Sequence, residues 1–216
     1  MNRRRILTAA AAGAMLGSAL LAASSANAAA GHRETVHHTK AVHTYAKLKQ
    51  LNQSGVSGRA AVTARGTDLS VSYRATGLLA GAPHAVHIHY GAQARHECPN
   101  LYDDTNGDLR LTTLEGVPAY GPVAVSLTTK GDTSPASALA VDRFPAAPHG
   151  KVHYHRHVHT DKATAKGVRA GDAVLVIHGV DHNHNGAYDF GAGKSDLDPK
   201  LPAEATNPAA CGVLHR

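Results

Sequence analysis

Apolar residues in this chain recur at every second position, in runs too short for helices and bounded by turn-forming residues. Leu69, Val71 and Tyr73 alternate with Ser70 and Ser72, and Val123, Val125 and Leu127 alternate with Ala124 and Ser126. A period of two sends one row of side chains into a core and the other into water, as in a half-buried strand. Ala173 to Ile177 is a continuous apolar run between Gly171 and Gly179, and its shortness and flanking glycines indicate a central strand. Further strands are expected near Arg59 to Ala64, His84 to Tyr90, Ala138 to Phe144, Val152 to His159 and Cys211 to Leu214. Many short strands separated by Gly, Pro, Asn and Asp predict an all-β chain, an antiparallel sandwich or barrel.

Two N-terminal stretches lie outside this pattern. Arg3, Arg4 and Arg5 precede an uncharged Ala/Leu run ending in Ala26-Asn27-Ala28, the three-part plan of a cleaved export signal over residues 1–28. The arginines followed by Ile6 and Leu7 resemble the twin-arginine motif. The expectation is a protein that is secreted or held in the cell envelope, with no membrane anchor. Residues 29–57 are polar, carry His32, His37, His38 and His43, and show little periodicity beyond Tyr45 to Leu51. They read as a flexible arm before a domain at 58–216.

The leader holds three of the 22 Lys and Arg and none of the 16 Asp and Glu, so a processed chain would carry +3. That balance is too mild to argue for nucleic acid as a partner. With no Trp and few aromatic residues, the core must rest on Val, Leu, Ala and Ile. The two cysteines, Cys98 and Cys211, would in an oxidising exterior most simply form one bridge. Closing so long a loop is worth about 4 kcal/mol in the chain-entropy model. Hydrolytic and nucleotide-dependent chemistries find no nucleophile–base arrangement, phosphate loop or nucleotide fingerprint to support them.

Histidines carry the chemistry. Residues two apart on a strand share a face, so His87 and His89 would present two imidazoles side by side, and a third, His178, closes the apolar strand at Ile177. Imidazole is a favoured neutral ligand for copper and zinc, and three such nitrogens with an open position make a redox or Lewis-acid centre.

These motifs resemble the Cu/Zn superoxide dismutase family from about Gly58 to Leu214. His87-Ile88-His89, before Tyr90 and Gly91, matches the paired copper histidines, and Cys98 stands nine residues after His89, where the family has its first disulfide cysteine. Val174-Leu175-Val176-Ile177-His178 matches a buried strand ending in a copper histidine, and Ala210-Cys211-Gly212-Val213-Leu214 nearly reproduces the family's second cysteine motif. The resemblance implies a Greek-key β-sandwich of the superoxide dismutase type, a Cys98–Cys211 bridge, copper on His87, His89 and His178, and superoxide as substrate. Leu78 to Gly91 and Gly121-Pro122-Val123 are also similar to the histidine-bearing secreted modules called CHRD domains.

The departures bear on function. The family places a histidine bridging copper and zinc, and further zinc ligands, after the first cysteine, whereas residues 99–148 contain no histidine. Zinc is therefore not expected there, unless His96 or a residue from His149 to His159 folds into the bridging place. Pro208 stands where the family steers superoxide with an arginine. The expected function is a secreted copper-binding protein, a copper-only dismutase if catalytic. The alternative is a non-catalytic metal-binding or structural module.

Two acidic loops remain. Asp104, Asn106, Asp108, Arg110, Thr112 and Glu115 have the ligand spacing of an EF-hand calcium loop, with Leu111 at its apolar position and Leu109 in place of the turn glycine. A hydrophilic turn rich in Asp and Asn accounts for the same residues. Asp181, Asn183, Asn185, Gly186 and Asp189 begin a second such loop, but Ala192 stands at the closing position, leaving Asp196 or Asp198 to fold back. Asp181 also lies close to where the superoxide dismutase family has an aspartate that orients metal-ligand histidines, which the resemblance implies as a competing role, and His182 and His184 in the same loop either serve the copper site or are simply solvated, the second reading being favoured. Finally, His153, His155, His157 and His159 would line one face of a strand. They read as the solvent face of an edge strand, with loose capture of metal ions as a by-product.

Overall fold

The computed structural model describes residues 40–216, so the expected export signal and His32, His37 and His38 lie outside the described residues. The strands are β1 (Val42–Gln50), β2 (Ser57–Arg65), β3 (Asp68–Thr76), β4 (Val86–His89), β5 (Val123–Ser126), β6 (Lys151–His159), β7 (Val174–His178) and β8 (Pro208–Val213). Three short helices accompany them: α1 (Thr113–Tyr120), α2 (Lys162–Ala170) and α3 (Ala203–Thr206). The strands form one curled, half-barrel sheet in the order β5-β4-β7-β8-β1-β2-β3-β6, every pair antiparallel. The all-β, antiparallel expectation is met at this level.

Along β1, β2, β3 and β6 the alternation read from sequence is clean. Leu48, Val62, Val71, Tyr73 and Val158 turn inward to a shared core, and their neighbours are exposed or half-exposed. A two-residue turn joins β2 to β3, with Gly66 supplying the positive φ of 59° at its first central position. In β4 and β7, by contrast, every residue is buried. Val86, Ile88, Leu175 and Ile177 join the shared core, while Val174 and Val176 pack with Tyr120 and Cys211 in a second cluster. Two-sided burial is why β7 reads as an unbroken apolar run rather than an alternating one. The Cys98–Cys211 disulfide, with Cα atoms 5.7 Å apart, ties the segment after β4 to β8.

Two expectations need correction. Residues 29–57 are not an arm throughout: Val42 to Leu48 pair with β2 at seven positions, and Lys49 and Gln50 with β8, so the sheet begins well before residue 58. The inward row of β1, Thr44, Ala46 and Leu48, is too small and polar to stand out among lysines and histidines. Ala138 to Phe144 is not a strand but lies among 3-10 turns at Pro135–Ser137 and Val141–Arg143. Side chains fold this segment on itself. Asp132 accepts from the hydroxyls of Ser134 and Ser137, and the Arg143 guanidinium donates to the carbonyls of Lys130 and Asp132.

Candidate metal centre

His87 and His89 leave β4 on the face away from the shared core, and His178 ends the neighbouring strand β7. The β4–β5 register shifts between Ile88 and His89, and the β7–β8 register between Ile177 and His178. Such irregularities re-aim side chains at functional positions. The three rings approach with centroids 5.0 Å apart for His87 and His178, 5.6 Å for His87 and His89, and 5.9 Å for His89 and His178. One nitrogen from each lies within 4.8 Å of the others, and this is the one such group of His, Cys, Asp or Glu among the described residues.

Backbone carbonyls fix which nitrogens those are. The His87 Nε2 faces the Ala138 carbonyl at 3.1 Å, His89 Nδ1 faces that of Gly121 at 2.8 Å, and His178 Nδ1 faces that of Thr206 at 2.7 Å. A carbonyl oxygen only accepts, so each of these nitrogens carries the proton and donates it. The lone pairs then reside on His87 Nδ1, His89 Nε2 and His178 Nε2, which are buried and without a hydrogen-bond partner. Buried polar atoms are rarely left so. Carbonyl-locked imidazoles with one nitrogen from each within 4.8 Å of the others form a group that could hold a metal ion.

Burial reinforces the arrangement. Desolvation, aided by the neighbouring imidazoles, holds the His87 pKa well below the usual histidine value, and the same causes lower that of His89 to about 3. For His178, desolvation outweighs its bond to the Thr206 carbonyl and lowers the pKa to about 4. The rings are therefore neutral at ordinary pH, the form in which imidazole can bind a metal. Tyr120 leans on His89 with ring centroids 4.3 Å apart, Phe144 meets His87 edge-on at 5.3 Å, and the three histidines are 1–4% exposed.

No family model matches the sequence, and no curated protein matches it either. The site is therefore read from its own geometry. Four of its supporting residues were not singled out as functional from sequence. Ser126 sits directly across from His87 on β5, with its hydroxyl buried and unpartnered. His84 Nδ1 approaches the His178 carbonyl at 2.9 Å, and the Tyr188 hydroxyl stands 3.1 Å from the same nitrogen. Gly179, with φ +105°, must be glycine, because a Cβ would collide with both.

His96 and the β6 histidines do not join the trio among the described residues. His96 stacks on Tyr90 and bonds the Gly91 carbonyl. The β6 row is exposed on a strand at one end of the sheet order, the solvent-facing edge that the alternation implied.

The first acidic loop folds around its own backbone. Asp104 accepts from the N–H groups of Gly107 and Leu109, Asn106 from Asp108, and Asp108 from Arg110. Glu115 accepts from Thr105 and Thr112. Leu109 itself takes the positive φ, 64°, where glycine is usual. The second loop repeats the plan: Asp181 accepts from Asn185 and Gly186, Asn183 from Asn185, and Asn185 from Ala187. Its closing carboxylate is neither Asp196 nor Asp198 but the fully buried Glu204 of α3. Glu204 accepts from His182 and Asp189, the same loop positions that Glu115 serves in the first loop. Asp181 bonds its own loop and no imidazole, so the orienting role considered for it is not what its contacts show.

Proposed function

We propose that this protein binds copper at His87, His89 and His178 on a Greek-key sheet of the superoxide dismutase type. What carries the reading is the set of three buried, unpartnered lone pairs, each fixed by a carbonyl bond on the opposite nitrogen. Three neutral imidazoles suit copper, which heads the divalent affinity series for nitrogen sites. The interleaved strand order, in which the chain crosses from β3 to the opposite end of the sheet, where β4 pairs with β5 and β7, supports the Greek key. Bound copper would supply a one-electron couple, oxidising one superoxide to oxygen and reducing another to peroxide with two protons. The chain's own residues set the limits: the three histidines are 1–4% exposed, with Phe144 edge-on to His87 and Tyr120 against His89. Burial thus favours metal holding over rapid turnover.

Copper(II) titration of the full chain, washed with a weak chelator to clear the β6 histidines, tests this. One equivalent with paramagnetic coupling to nitrogen is expected, lost in His87→Ala/His178→Ala. Undiminished tight binding in that variant would remove the reading. Dismutation well above that of free copper, lost in the variant, would make the protein a copper-only dismutase, and equal negligible activity would leave a non-catalytic copper-binding module.

The matched placement of Glu115 and Glu204 favours a second reading, structural calcium at the two loops. Millimolar calcium should then raise the melting temperature of the native chain and not that of Asp104→Asn/Asp181→Asn. An equal response in both rules it out.

A further inference from the structure

The outer face of β1, β2, β3 and β6 carries an arrangement that the metal centre does not explain. Lys47 lies directly opposite Arg59, Arg59 opposite Arg74, and Arg74 opposite His153, so four basic residues stand in register across four strands. Like charges directly opposite one another destabilise a sheet, yet here the repulsion is repeated from strand to strand. None of the four ion pairs among the described residues engages Lys47, Arg59 or Arg74. The one carboxylate on an outward position of these strands, Asp68, stands at the far end against His159. The row borders a groove of about 1010 Å³ floored by the small Ala61 and Ser72, with Tyr45, 59% exposed, at its side.

We propose that this face docks an extended acidic glycan, a polysaccharide bearing carboxylate or sulfate groups. Strands about 4.8 Å apart space the cations Lys47, Arg59 and Arg74 along about 10 Å, with His153 one step further, a spacing that suits a polymer with one anion per sugar. A linear polyanion threaded along the groove would bridge the opposed cations and remove their repulsion, and the exposed Tyr45 ring offers a sugar a flat partner. A single-stranded nucleic acid would call for successive aromatic platforms, and the one exposed tyrosine lining this groove is Tyr45, beside the imidazoles of His153 and His155. A globular acidic protein would need a broad apolar centre, and this groove is bordered by Lys47, Arg59, Arg74 and His153.

The test compares the full chain with Arg59→Gln/Arg74→Gln and with Lys162→Gln/Lys166→Gln, which removes the same charge from exposed positions of α2. Binding of low-molecular-weight heparin is measured at about 0.1 M salt. The row variant should bind about tenfold or more weakly, while the α2 variant binds as the native chain does. Without ligand, the row variant should melt a few degrees higher, because repulsion between the opposed guanidiniums is gone. That gain with loss of binding separates a docking role from a structural one. Equal weakening in both variants would reduce the effect to net charge, and no weakening in the row variant would overturn the proposal. Tighter binding to an oligothymidylate of equal charge would overturn the glycan as occupant.

Discussion

The two halves of the sheet solve the same packing problem differently. Across β1, β2, β3 and β6, burial alternates cleanly: inward residues are apolar apart from Thr44 and Arg156, and outward ones are exposed or half-exposed. Across β4 and β7, both faces are covered, and one of them buries three imidazoles whose lone pairs meet no donor. Of the five buried, unpartnered side-chain polar atoms among the described residues, four lie on this second face if Ser126, cross-strand from His87, is counted with the trio. Leaving a buried polar atom unsatisfied costs about 1–3 kcal/mol. The first half has one such atom, the Tyr73 hydroxyl, and carries its cost on the outside, in the opposed cations; the second buries a standing cost that a ligand would remove.

The largest expected effect that separates the halves is acid sensitivity of the metal-free protein. The unfolded chain binds protons on its histidines below about pH 6.5, while folded His178 waits until about 4 and His89 until about 3. Between those limits the unfolded state holds more protons, so stability falls as pH falls. At about 1.4 kcal/mol per pKa unit, the trio accounts for several kcal/mol between pH 6.5 and 4. Urea midpoints at pH 7, 5.5 and 4.5 should drop steeply for the native chain and far less for His89→Gln/His178→Gln. A native midpoint flat over that range would mean that the trio is hydrated and the contrast between the halves is false.

Legibility in the sequence follows the same divide. β2, β3 and β6 announce themselves by alternation, and β7 by its short apolar run, because in each the side-chain pattern is set by one kind of burial. β1 did not, since Thr44 and Ala46 carry little hydrophobic signal although both are buried. His87, His89 and His178 stood out from residue type and spacing. What makes them a site, however, comes from the carbonyls of Ala138, Gly121 and Thr206, in three separate segments that residue type cannot reveal. Glu204 was invisible for a related reason: it reaches the second acidic loop from α3, outside the spacing that defines such loops. Short-range patterns encode which residues face inward, whereas long-range backbone placement decides which of them lack partners.

The smallest expected effect tests the standing cost itself. Ser126→Ala removes a buried hydroxyl with no partner, so the metal-free protein should gain about 1 kcal/mol. Ser72→Ala, on the outer face of β3, makes the same chemical change on a strand where the hydroxyl is half-exposed, and should move stability by no more than about 0.5 kcal/mol. Because both substitutions exchange the same residues on strands, differences in strand propensity largely cancel, and what remains is the environment. The sign should reverse with metal. If the Ser126 hydroxyl is poised beside the ion, Ser126→Ala should alter the copper spectrum or affinity while Ser72→Ala does not. Equal stability changes in the two variants, with identical copper spectra, would show that the second face tolerates its unpartnered atoms as readily as the first tolerates its solvated ones.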